Sequence, residues 1–95
     1  MAGYGNVRGT VSTSDATLKT GAGYIHWITI SNTHATEATT VQLEDTGTDM
    51  WSIAVEALDQ NIGVVHALFD PPIKCEVGIF VDIQLGTPIV SVGIS

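Results

Sequence analysis

Valine, isoleucine and threonine make up 32 of the 95 residues (10, 10 and 12), and no other feature restricts the fold as much. Their β-branched side chains lose χ1 freedom in a helix and pack well on a pleated sheet. They come in short runs punctuated by glycine, proline and asparagine, and no window keeps apolar residues at helical spacing beyond about two turns. The chain reads as all-β, an antiparallel sandwich of about seven to eight short strands.

The runs can be placed one by one. Val7 to Ser12 is the first, followed by a polar stretch with a brief edge strand around Leu18, and Gly23 to Ser31 is the next. Asn32 and Thr33 begin a loop because their side chains can bond nearby backbone. Thr39 to Glu44 alternates Val41 and Leu43 inward with Thr40, Gln42 and Glu44 outward. "DTGTD" turns the chain into Met50 to Ala57, which sets Trp51, Ile53, Val55 and Ala57 on one side, and "LDQN" turns it again. Ile62 to Phe69 is apolar on both sides, and Pro71 and Pro72 are expected to stop it, since neither donates to a ladder. "EVGIFVDI" places Val77, Ile79, Val81 and Ile83 together, and "PIVSVGIS" places Val90, Val92 and Ile94 together.

Strict alternation puts Tyr24, His26, Ile28 and Ile30 on one face of the Gly23 to Ser31 strand and Ile25, Trp27 and Thr29 on the other. Large groups on both faces call for a cover on each, either the chain's own loops or another subunit. Trp27 facing away from the core would be an interface anchor.

A chain this short makes one domain, which buries roughly 60 to 65% of its unfolded surface and keeps only a few kcal/mol of net stability. Residues 7–95 read as that domain and residues 1–6, "MAGYGN", as a flexible N-terminal arm able to order on a neighbour. Burial against copies of itself would supplement the small core.

Ten carboxylates stand against Arg8, Lys19 and Lys74, which disfavours nucleic acid and anionic lipid as partners. No run approaches the ~20 apolar residues of a membrane helix, and no signal-like start is present. Cys75 is the only cysteine, so no internal disulfide is available.

Candidate chemistry is sparse. His26, His34 and His66 lack metal-ligand spacing, so no metal is expected. Cys75 sits between Lys74 and Glu76, not beside a histidine and an orienting acid, so no nucleophile is expected either. "DTGTD" lacks the length of a calcium loop, and "LKTGAG" lacks phosphate-loop spacing. The expectation is a non-enzyme without cofactors.

The order "LKTGAGYIHWITISNT", "TTVQLED" and "GVVHALFDPPIKCEVGIFVDIQLGTPIVSVGIS", spanning Leu18 to Ser95, resembles small phage virion proteins of the capsid decoration or cement type. The stretch "DTGTDMWSIAVEALDQN" is more acidic than that pattern. The resemblance implies a jelly-roll-like sandwich, made in the host cytoplasm and placed on the capsid exterior. It implies a homo-oligomer, with a trimer expected, that binds the major capsid protein and stabilises the shell. Tyr4, Tyr24, His26 and Trp27 are the expected interface residues. The alternative expectation is a fibre or tail-tip module that recognises a surface glycan through Trp27 or the 32–38 loop.

Overall fold

The computed structural model describes residues 7–34, 36–57 and 64–95. Eight strands form: β1 (Arg8–Ser12), β2 (Ala16–Thr20), β3 (Gly23–Ser31), β4 (Thr39–Asp45), β5 (Thr48–Val55), β6 (Val64–Cys75), β7 (Gly78–Leu85) and β8 (Ile89–Ile94). They make two four-stranded antiparallel sheets, ordered β1-β8-β3-β6 and β2-β7-β4-β5. The expected arm, Tyr4 within it, and the "LDQN" turn lie outside the described residues.

The pairing explains this order. β4 pairs with β5, β3 with β6, β2 with β7 and β1 with β8, so the chain is one long folded ribbon of four nested pairs. Rolling the ribbon adds β3 beside β8 and β4 beside β7, which leaves half the pairs in each sheet. This is the jelly roll, a double-sheet arrangement with few open edges.

The core lies between the sheets, as the alternation requires. Ile25, Ile28 and Ile30 of β3 and Val90, Val92 and Ile94 of β8 meet Val41 and Leu43 of β4 and Ile79 and Val81 of β7, all fully or almost fully buried. Along the β5–β6 side, Trp51 packs edge-on against Phe69, with ring centroids 5.5 Å apart at 77°. The tight β4–β5 hairpin turns on Gly47, whose φ of 94° suits glycine.

Three details differ from the sequence reading. First, β6 does not stop at Phe69 but runs through Pro71 and Pro72 to Cys75. Its register against β3 jumps from Leu68↔Trp27 to Ile73↔Ile25, so the prolines fall in the irregular stretch of an edge strand, where no ladder N–H is required. Second, the register shift between Ile25 and Trp27 breaks the alternation of β3: Ile25 joins Ile28 and Ile30 in the core, while Trp27 keeps the face opposite Ile28 that alternation gives it, here the outward one. Third, Val77 is exposed, unlike Ile79 and Val81, because it belongs to the turn that precedes β7.

Candidate interaction surface

The outward face of the β1-β8-β3-β6 sheet can be built from its register as three cross-strand rows. Gly9, Gly93, Trp27 and Leu68 form the first; Val11, Ser91, Thr29 and His66 the second; Ile89, Ser31 and Val64 the third. None of these residues is a carboxylate, in a chain whose formal net charge is −7. Val11 and Leu68 are 70% and 71% exposed, and Val64 and Ile89 are exposed as well. Small residues and hydroxyls between them leave the sheet surface low, so the large side chains stand out from it.

Trp27 is the centre of this face. Its indole lies over the two glycines of its own row: a Cβ at Gly93 would fall 2.2 Å from Nε1, 2.3 Å from Cε2 and 2.6 Å from Cδ1, and one at Gly9 would fall 3.4 Å from Cη2. Packing an aromatic across a glycine pair restores contacts that glycine cannot make, and it leaves Trp27 half-buried. Its ring centroid is 6.3 Å from that of His66, whose Nδ1 is 2.7 Å from Thr29 Oγ1.

The other expected interface residues sit nearby but apart. Tyr24 pairs with Lys74 on β6, and its ring lies 6.4 Å from that of His26. His26 Nε2 is 2.8 Å from Ser95 Oγ, which fixes the imidazole at the end of the sandwich and away from the Trp27 row. Thus His26 is tied to Ser95 rather than to its sequence neighbour Trp27.

The remaining candidate groups hold loops. His34 Nδ1 accepts from the backbone N–H groups of Thr36 and Glu37 at 3.1 and 2.9 Å. Asn32, nearly fully buried, donates through Nδ2 to the carbonyls of Glu37, Glu56 and Val55 at 2.9, 3.2 and 3.4 Å, and accepts from His34 N–H at 3.2 Å. Asp45 of "DTGTD" takes no part in a cation loop. Its carboxylate accepts from the N–H groups of Glu76, Val77 and Gly78 at 2.8, 2.8 and 3.2 Å, and these bonds hold its pKa below the usual 3.8. Cys75 is fully buried, and burial, with the nearby Asp45 charge, pushes its thiol up to about 11. Among the described residues no group of three His, Cys, Asp or Glu side chains could hold a metal ion.

Compared with models of protein families, with curated proteins and with solved structures, the chain matches none.

Proposed function

We propose that this protein is a non-enzymatic building block of a virion, a homo-oligomeric capsid decoration protein that binds the major capsid protein and stabilises the shell from outside. The observation that carries the reading is the three carboxylate-free rows on the outer side of the β1-β8-β3-β6 sheet, next to the exposed Asp70 of β6, with Trp27 laid on Gly9 and Gly93 and flanked by Val11 and Leu68. On so acidic a molecule these three rows can approach another protein without desolvating a carboxylate, which is the costly step in burying a polar surface. The jelly roll is compatible with this role because viral shells use it, although the fold hosts other functions too.

Magnitudes decide how such a face works. Three rows across four strands, with strands about 4.8 Å apart, cover roughly 300 Å². That is within the ordinary range for the largest patch on a monomer, about 300–600 Å², and short of the roughly 800 Å² per partner of a stable interface. One copy therefore docks weakly. An oligomer presenting several such faces at once binds far more tightly, because each further contact is intramolecular.

The test is to express the tagged chain during infection of its host and to purify the particles. The expected result is recovery of the chain with intact virions, density for it outside the shell, and loss of attachment in Trp27→Ala. Particles devoid of the chain, or a density map with the Trp27 face turned to solvent, would overturn the reading.

A second reading is favoured by one feature, the flat indole set beside the hydroxyls of Thr29, Ser31 and Ser91, which resembles a sugar-stacking platform. It makes the chain a tail-tip or fibre module that recognises a glycan. Saturable binding on a glycan array, abolished by Trp27→Ala, would select it over the shell-binding reading.

A further inference from the structure

The chain has only three lysines and arginines against ten carboxylates, and the fold brings all three to one end. Arg8 and Lys19 line a cavity of about 360 Å³, and Lys19 and Lys74 line an adjoining one of about 190 Å³; Lys19 and Ser95 belong to both. Among the described residues no Asp or Glu side chain lines either cavity. Glu76 is close by, 3.5 Å from Lys74 in an exposed ion pair, and Asp45 spends its oxygens on the backbone N–H groups of the β6–β7 turn. Arg8 and Lys19 have no ion-pair partner among the described residues.

The complementary charge lies on the β2-β7-β4-β5 sheet, to which Lys19 also belongs. Glu44 of β4 is in register with Asp49 of β5, and Asp82 of β7 stands opposite Gln42, two residues along from Glu44's own partner Phe80. Burial first, then the charges of Asp82 and Asp49, raises the pKa of Glu44, so these acids repel one another where they stand. Among the described residues none of the three is ion-paired with a lysine or arginine.

We propose that the end lined by Arg8, Lys19 and Lys74 is a self-association site that receives the Glu44, Asp49 and Asp82 carboxylates of a second copy. The two patches are distinct neighbours, flanking β7, so the contact either pairs basic end with acidic face reciprocally about a two-fold axis or repeats head-to-tail. A two-fold contact through the acidic face alone would set like charge against like. This inference rests on the homo-oligomer of the proposed function and assigns its subunit contact, which leaves the Trp27 face free for the shell.

Salt alone is a poor probe, because it screens both this attraction and the general repulsion between two copies of net charge −7. Charge exchange is decisive. Arg8→Glu with Lys19→Glu makes both patches acidic, and Glu44→Lys with Asp82→Lys makes both basic. In sedimentation equilibrium each double variant alone is expected to associate at least about tenfold more weakly than the wild type, as loss of close charge pairs dictates. An equimolar mixture is expected to recover association. Arg8→Gln with Lys19→Gln, and Glu44→Gln with Asp82→Asn, are milder pairs for use if a reversal impairs folding; each should weaken association and their mixture should not restore it. A wild type that stays monomeric, double variants that associate like the wild type, or a mixture of reversals without recovery overturns the proposal. Unchanged association in the charge variants together with loss of particle attachment in Trp27→Ala would refute this contact and leave the shell-binding reading standing.

Discussion

The indole of Trp27 occupies the space in which a side chain at Gly93 would stand, 2.2 Å from where its Cβ would be. The glycine therefore sets the posture of the tryptophan. Gly93→Ala is expected to destabilise the protein by about 1–3 kcal/mol, as overpacking does, against a gain of about 0.5–1 kcal/mol from replacing glycine in a strand. In a double-mutant cycle with Trp27→Ala the penalty should largely vanish, since no ring is left to displace. Chemical denaturation of the four proteins gives the coupling, and additive effects would show that the ring moves aside freely.

Asn32 aims its amide N–H groups at three carbonyls. Asn32→Ala should cost about 1–3 kcal/mol, because buried carbonyls lose their donor. Asn32→Asp should cost more at pH 7, since a carboxylate there meets acceptors and no donor to replace Nδ2. Urea unfolding at pH 7 and pH 4 checks this. The aspartate variant should recover part of its deficit at the lower pH, where the carboxyl regains a proton to donate.

Asp45 makes stability depend on acid. Its pKa is lower in the folded protein than the ordinary 3.8, chiefly through the N–H groups of Glu76 and Val77. The stabilisation is therefore complete above that ordinary value and is lost as the pH falls through the depressed one. Asp45→Asn should melt at a lower temperature than the wild type at pH 7. The difference between the two should shrink progressively below pH 3.8 in thermal melts; a constant difference would show that the bonds do not depend on the charge.

Cys75 behaves in the opposite sense. A thiol with its pKa raised to about 11 from an ordinary 9.0 is neutral and enclosed in the folded state, so iodoacetamide at pH 8 should modify it only after unfolding. Its contribution is full below pH 9 and falls as the pH rises towards 11. Wild-type stability should fall more than that of Cys75→Ala over this interval. Rapid labelling of the native protein would show that the core around β6 opens readily.

The sandwich was legible because its signals are local. Val41 and Leu43 alternate with polar neighbours, as do Val90, Val92 and Ile94, and all five are buried as expected. Trp51 and Phe69 likewise pack with the core. The bulge in β3 was not legible, because it arises from two strands meeting out of step at residues 69–72, and neither run shows that alone. Its consequence is that Ile25 faces inward with Ile28 and Ile30, on the side opposite Trp27. The reach of Asn32 was half visible: asparagine announces a turn, and its Oδ1 does bind His34 N–H. Its bonds to Val55 and Glu56 depend on a strand more than twenty positions away. The gathering of Arg8, Lys19 and Lys74 was hidden for the same reason, since only the nested pairing brings the start of β1, β2 and the end of β6 to one place.

That nested pairing also governs how the protein is made. β8 is an inner strand, held between β1 and β3, yet it is translated after the other seven described strands. A growing polypeptide on the ribosome can close the β4–β5 hairpin early, but one layer has a gap in its middle until Ile94 emerges. Acquisition of the native state thus waits for β8 and is expected to be slow, as contacts between distant positions dictate. Nascent chains that stall before Ile89 would present unpaired strands to chaperones and proteases.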